Sequence, residues 1–449
     1  MTHRLRRAGA FAAVATLVLA APALGPAAAA PFAAVAVLAA FVIEDGPVFE
    51  LFARPGDHED RRLNGLAGFT LAAAALGILT VDYPQAPPLP GTVFAAAVLT
   101  LAYGNLGREF VRDVTTDEFA VVAGFVTVGT VAGTLGQAFV AAAASEFAVA
   151  ALPKYTFLAA VGSLIAALLR SILFGRDDPL VMVSVGFILW LFAALTGTVP
   201  ARLVAVGLGL AVALGWVSYA LDAASVPGML TGVLLAAVSV VLGGYGWFAV
   251  LISFFSVGAL ATKYRYEEKE ARGVAEENDG ARGTGNVLGN ASVALFTVVG
   301  YAVAVHLLDP GIPLADVAPT LLAFAFAGSV AAAMADTLSS EFGGLYDDPR
   351  LVTTFERVEP GTDGAVTWQG ELAGLVGSAL VGGIAALSMP LGDPILALAV
   401  VTGGGVIGMT VDSLLGATVE GSRLTNQTVN FLATLAGALA GSALAIPLA

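Results

Sequence analysis

The chain has 449 residues, of which 58% are hydrophobic and only 12% charged, against roughly 25% charged in a soluble domain, so lipid is its solvent. It has no cysteine, which excludes disulfides, thiolate metal sites and cysteine nucleophiles, and its three histidines, His3, His58 and His306, are too scattered for a zinc site. Acidic residues outnumber basic ones 34 to 20, giving a net charge of −14 that opposes binding to nucleic acid or anionic headgroups and suits solvation in high salt, as in a halophilic archaeon.

A backbone in lipid must satisfy its hydrogen bonds internally, and helix-length runs rich in Ala, Leu, Val and Gly predict helices, not barrel strands. At the N-terminus, Arg4, Arg6 and Arg7 precede an apolar run from Ala8 to Ala21, as in a signal peptide. Cleavage after Ala30 leaves only Pro31 to Ile43 before Glu44 and Asp45, less than the roughly 20 residues of a span, so an uncleaved anchor is expected. In chain order, apolar segments fall at 8–21, 27–43, 65–82, 91–105, 119–144, 154–173, 179–197, 202–221, 228–242, 247–262, 286–308, 320–335, 370–389, 395–411 and 428–447. The expectation is an all-α, polytopic integral membrane protein with roughly 13–15 transmembrane helices, divided into N-terminal (1–227) and C-terminal (228–449) membrane domains.

With the N-terminus inside, 18 of the 20 basic residues fall on one side, Lys154 and Arg202 being the exceptions. Positive residues mark the cytoplasmic face, so a plasma-membrane location with the N-terminus and the polar stretches 263–285, 336–369 and 412–427 in the cytoplasm is expected.

In the first stretch, Lys263 to Arg272 is mixed-charge and reads as a solvated helical extension. Gly280, Gly283 and Gly285 then surround Arg282, and Asn286 and Asn290 share one face of the next span. Glycines permit close backbone approach and arginine suits a phosphate fork, although a hinge with one interfacial arginine has the same residues. In the second stretch, Asp336 and Ser340, and Thr337 and Glu341, are four apart near the end of a small-residue helix, with Ser339 between. Ionisable groups there are costly, and two carboxylates with interleaved hydroxyls form an oxygen set for Mg²⁺; a helix end reaching water is the alternative. The loop goes on through Thr353 and Thr354 to Gly361-Thr362-Asp363-Gly364, a turn signal that is also a run of backbone and hydroxyl donors. In the third stretch Asp412 and Ser413 follow a glycine-rich run, and Asn426 and Asn430 open the last span.

These blocks together, Gly-Ala-Arg282 to Val-Leu-Gly-Asn290, Asp336-Thr-Leu-Ser-Ser-Glu341, Leu-Val-Thr-Thr354, Gly361-Thr-Asp-Gly-Ala-Val366, Asp412-Ser-Leu-Leu-Gly-Ala-Thr418 and Asn426 to Asn430, resemble the integral-membrane family numbered 92 among domains of unknown function, which includes plant phytyl-phosphate kinase. The resemblance covers about residues 230–449. It implies a membrane kinase, CTP- or ATP-dependent, that converts an isoprenyl monophosphate to the diphosphate. On that reading Asp336, Glu341 and Asp412 hold Mg²⁺ and Arg282 binds phosphate oxygens. Asn290, Thr337, Ser339, Thr354, Thr362, Asp363, Gly364, Ser413, Asn426 and Asn430 surround substrate and nucleotide. The N-terminal half, through Arg61 to Gly68, Asp117 to Gly124 and Gly175 to Val183, is similar to a degraded dolichol- and phytol-kinase pattern. It carries Asn105-Leu-Gly-Arg108 where that pattern has an aspartate and a small-residue run, which favours packing or lipid binding there. An ion-coupled transporter or a non-enzymatic membrane scaffold are the rival readings.

Overall fold

The computed structural model describes residues 2–84, 86–173, 178–221, 224–275, 283–421 and 423–448. The protein is an all-α, polytopic membrane protein. Among the described residues eleven helices are long and apolar enough to cross a bilayer, twelve if Ala30–Phe41 and Gly46–Phe52, bent by 105°, form one span, and the shorter helices Asn64–Ile78 and Val226–Leu242 are apolar too. The chain divides into two compact units, Met1–Val204 and Ala205–Ala449.

The first unit contains α1 (His3–Ala15), α2 (Ala21–Leu24), α3 (Ala30–Phe41), α4 (Gly46–Phe52), α5 (Asp57–Asp60), α6 (Asn64–Ile78), α7 (Gly91–Arg112), α8 (Glu118–Ala143), α9 (Leu152–Ile172) and α10 (Asp178–Leu195). At its centre α7, buried without interruption from Val93 to Ala102, packs against α1, α8, α9 and α10. Asp117, in one of the kinase-like blocks, accepts the Ala120 amide at 2.7 Å and is the N-cap of α8. Lys154, one of the two basic residues that the expected topology leaves on the opposite side from the rest, donates to the Ala193 carbonyl at 2.8 Å and to that of Thr196 at the end of α10. Its charge thus neutralises the carbonyls left open by a helix C-terminus.

Helix α11 (Ala201–Ala220) carries the chain into the second unit, which contains α12 (Val226–Leu242), α13 (Tyr245–Lys263), α14 (Tyr266–Ala271), α15 (Thr284–His306), α16 (Pro313–Gly343), α17 (Trp368–Ser388), α18 (Pro394–Val419) and α19 (Asn426–Ala445). The core is α16, buried from Ala323 to Ala335 and flanked by α13, α15, α17, α18 and α19. Trp247 anchors α13 to it, its ring 4.5 Å from that of Phe326. On the other side α16, α18 and α19 meet at a seam of small residues. A Cβ on Gly437 would lie 2.6 Å from the Ala332 methyl and 2.7 Å from the Gly328 carbonyl oxygen, so only glycine permits this approach.

Between α16 and α17 the chain forms a short antiparallel pairing of β1 (Arg350–Leu351) with β2 (Ala365–Val366), Arg350 opposite Val366. Thr367 then caps α17, its hydroxyl accepting the Gly370 amide at 3.1 Å. Gly364 seats this loop on α18: its φ is +73°, a conformation costly to residues with a Cβ, and a Cβ there would meet the Ala417 nitrogen at 2.3 Å. The C-terminal ends of α16 and α18, the N-termini of α15, α17 and α19 and the segment around α14 therefore gather at one end of this unit.

Candidate functional site

Asp336 and Asp412 stand out in the sequence as carboxylates in apolar runs, but they are not at helix ends. The polar residues after each continue the helix, so Asp336 lies seven residues before Gly343 and Asp412 seven residues before Val419. At 1.5 Å per residue each is about 10 Å, two turns, inside its helix terminus. Because α16 and α18 pack together, the two side chains approach one another, and the carboxyl of Asp336 acts directly on that of Asp412. Like charges share such a space only with a proton or a cation between them. One oxygen of Asp412, Oδ1, is buried with no hydrogen-bond partner.

Two further carboxyls stand toward the aqueous side of this pair. Glu420 caps the end of α18, and burial, together with the negative charges of Asp363 and Asp336, pushes its carboxyl above the ordinary value of 4.5. Asp363, held on the Gly364 turn, is exposed. Glu420 is absent from the set that the sequence suggested, and nothing in its spacing marks it; the fold of the loop onto α18 brings it in. Among the described residues no three His, Cys, Asp or Glu side chains converge closely enough to chelate an ion by themselves. A carboxylate pair with an unmet oxygen fits Mg²⁺, which commonly takes one or two carboxylates and leaves its other positions to water and phosphate oxygens.

Glu341, expected beside Asp336, is placed elsewhere. Five residues on from Asp336 it projects from another face of α16, where it accepts from the Lys269 amine at 2.5 Å. Both side chains are buried, 1% exposed for Lys269 and 7% for Glu341. The same amine donates to the Ala261 and Thr262 carbonyls at 2.9 and 2.7 Å, closing the end of α13. Lys269 is thus a buried clamp and not part of a solvated extension, and Glu341 is its counter-ion, with no position in the acidic pair.

The remaining residues divide by depth. Thr337 is buried and Ser339 half-buried beside Asp336 in the chain, and half-buried Ser413 donates to the Met409 carbonyl at 3.3 Å. Thr354, Thr362 and Asp363 are exposed on the loop, where the Thr362 hydroxyl donates to the Glu359 carbonyl at 2.7 Å. Asn290 is buried and donates to the Asn286 carbonyl at 3.0 Å. Asn426 is exposed at the start of α19, Asn430 half-buried one turn on, and α19 approaches α15 where a Cβ on Gly289 would lie 2.9 Å from the Gln427 carbonyl oxygen. Thr284 Oγ1 and Asn286 Oδ1, at the start of α15, are buried without partners. Arg282, like Gly280 and Gly175 to Asp177, lies outside the described residues.

Known proteins resemble this chain, and a family model matches the part that contains the acidic pair. The family described as integral membrane protein DUF92 matches residues 209–438. An uncharacterized membrane protein of Methanocaldococcus jannaschii is 36% identical over 204 residues, covering 44% of this chain and 76% of the relative. An uncharacterized membrane protein of Synechocystis sp. is 30% identical over 212 residues, covering 44% and 74%. The chloroplastic protein VTE6 of Arabidopsis thaliana is 29% identical over 201 residues, covering 42% of this chain and 55% of its own length. No solved structure matches.

Proposed function

We propose, from the premise that the chain belongs to the DUF92 family of integral membrane proteins, that its second unit is a kinase converting an isoprenyl monophosphate, of phytyl or geranylgeranyl type, to the diphosphate. The observation that carries this reading is the approach of Asp336 to Asp412, two carboxyls from separate helices, one with an unmet buried oxygen. The similarity of the surrounding blocks to phytyl-phosphate kinase supplies the substrate class.

Phosphoryl transfer needs little covalent work from the protein; positioning and charge neutralisation supply most of the acceleration. Asp336 and Asp412 would hold Mg²⁺, which when bound neutralises charge on the phosphates. The rigid α16–α18 packing fixes the two carboxyls relative to one another. The loop carrying Thr362, Asp363 and Gly364 covers the aqueous side, and Arg282 supplies a fork for phosphate oxygens. The acceptor monophosphate oxygen bonds to the terminal phosphorus of CTP or ATP as the bond to the bridging oxygen breaks, giving the isoprenyl diphosphate and a nucleoside diphosphate. The isoprenoid chain stays in the bilayer, and the polar end of this unit faces the cytoplasm across the plasma membrane.

The test is direct. Purified protein in detergent, given labelled CTP or ATP with Mg²⁺ and geranylgeranyl or phytyl phosphate, should form the diphosphate in a Mg²⁺-dependent manner. Absence of product with both donors and both acceptors overturns the reading. One observation favours a second reading: the two carboxyls lie two turns inside their helices, as in ion-coupled carriers. Ion-driven solute uptake into proteoliposomes by a chain without kinase activity would establish that instead.

A further inference from the structure

In the first unit one half-buried arginine, among the described residues, has no bonded counter-charge. Arg108, in the last turns of α7, is half-buried and, among the described residues, makes no hydrogen bond or ion pair. The charges of Arg170 on α9, Arg112, Glu109 and Asp178 act on its guanidinium, and α9 packs against α7. The carboxylates in this group are already engaged. Asp178 at the start of α10 is 5% exposed and pairs through one oxygen with Arg170 and through the other with Arg54 at 2.9 Å, while Glu109 pairs with Arg112 at 3.5 Å. Among the described residues Arg170 and Arg54 thus share the Asp178 carboxylate, and Arg108 pairs with none. The Nε–H of Arg170, whose side chain is only 12% exposed, is buried and has no acceptor.

A buried cation without a counter-charge is costly, and a buried donor without an acceptor forfeits its hydration. The cost attaches to two neighbouring guanidiniums at one end of the unit. We infer that Arg108 and Arg170 form an anion site that takes a phosphate group, as a soluble phosphate or as the headgroup of a phospholipid. Phosphate matches the donors: its tetrahedral oxygens accept from a guanidinium fork and from a single N–H at once, and its negative charge offsets that of Arg108. The arrangement is independent of the acidic pair in the second unit, and the inference does not rest on the kinase reading.

The test uses the full chain in detergent and in nanodiscs, without divalent ions, so that no metal recruits phosphate elsewhere. The thermal midpoint is followed against inorganic phosphate at constant ionic strength set by chloride, and separately against phosphatidic acid replacing phosphatidylcholine. An anion that binds only the folded state raises the midpoint. In the wild type one or both anions should raise it, and Arg108→Gln should weaken that response at least 10-fold in concentration. Arg108→Lys, which keeps the charge and loses the fork, should fall between. Without anion, Arg108→Gln should be as stable as the wild type or more so, because it removes an unpaired charge. A response to phosphatidic acid alone assigns the site to lipid, and a response to both assigns it to the phosphate group itself. Equal responses of wild type and Arg108→Gln overturn the inference. So does an Arg108→Gln chain that is unstable or unfolded without anion, since that would show a packing role.

Discussion

Asp336 on α16 and Asp412 on α18 bring their carboxyl groups within interaction range although 76 residues separate them in the chain. Neither helix alone provides a site; the seam that packs them does. Asp336→Asn and Asp412→Asn should each lower phosphoryl transfer on the order of 100-fold or more while leaving a folded protein, since charge stabilisation of this kind amounts to several kcal/mol. Because the two act as one unit, the double variant should be little worse than either single one. Steady-state rates of all three decide the matter, and near wild-type turnover in both single variants removes the pair from the chemistry.

Arg282→Lys should retain more activity than Arg282→Ala, because lysine keeps the charge and loses the two-pronged fork. The comparison is made in KM for the nucleotide and for the isoprenyl phosphate. Identical kinetics for both variants would remove Arg282 from phosphate binding.

Lys269 and Glu341 should behave as a structural pair. Lys269→Met alone strands a buried carboxylate and should destabilise by about 3–5 kcal/mol, whereas Lys269→Met with Glu341→Leu should recover most of that loss. Thermal or denaturant unfolding of the two variants gives the comparison. Failure of the double variant to recover would mean that the lysine's bonds to the Ala261 and Thr262 carbonyls outweigh its ion pair.

The acidic rim should respond to pH. Glu420 has a folded-state pKa raised by burial and by Asp363 and Asp336, so its charged form is disfavoured in the fold. Protonation of Glu420 therefore favours the folded state, and its destabilising contribution grows as pH rises from 4.5 through the raised value. Glu420→Gln should raise the thermal midpoint at pH 8 and make no difference near pH 4. A midpoint difference that does not change with pH would contradict this assignment.

Sidedness can be read with single cysteines in this cysteine-free chain. Thr353→Cys and Asn426→Cys, at the gathered end of the second unit, should react alike with an impermeant thiol reagent, and Asp309→Cys, at the other end of α15, should react from the opposite side. Positive-inside placement makes the first pair cytoplasmic. Labelling of Asn426→Cys and Asp309→Cys from the same side would contradict the helix arrangement.

What the sequence reveals here depends on the range of the interaction. Carboxylates in apolar runs are visible because lipid makes them costly, and Asp336 and Asp412 were found that way. Helix ends were misplaced because hydropathy marks where apolar residues stop, whereas α16 and α18 continue through their polar residues to Gly343 and Val419. Likewise α7 runs on to Arg112, beyond the apolar segment that ends at 105. The pairing of Lys269 with Glu341 joins residues 72 apart, and no spacing rule reaches that far. Glu420 enters the acidic group only because the Gly364 turn lays its loop over α18, a tertiary event that a local reading of Gly-Thr-Asp-Gly as a turn does not foresee.

The glycine seam has a thermal consequence. A buried lysine or leucine gives up rotamer freedom when a helix interface forms, by amounts from about 0.5 to 2 kcal/mol, while glycine and alanine have none to give up. Where Gly405 and Gly408 of α18 lie against Ala331 and Ala332 of α16, contact is made by main-chain atoms and alanine methyls, and no side chain has alternative states to populate on warming. The spacing of the two helices that carry Asp336 and Asp412 is therefore set by main-chain atoms and alanine methyls. It should hold nearly constant up to the temperature at which the helices separate altogether.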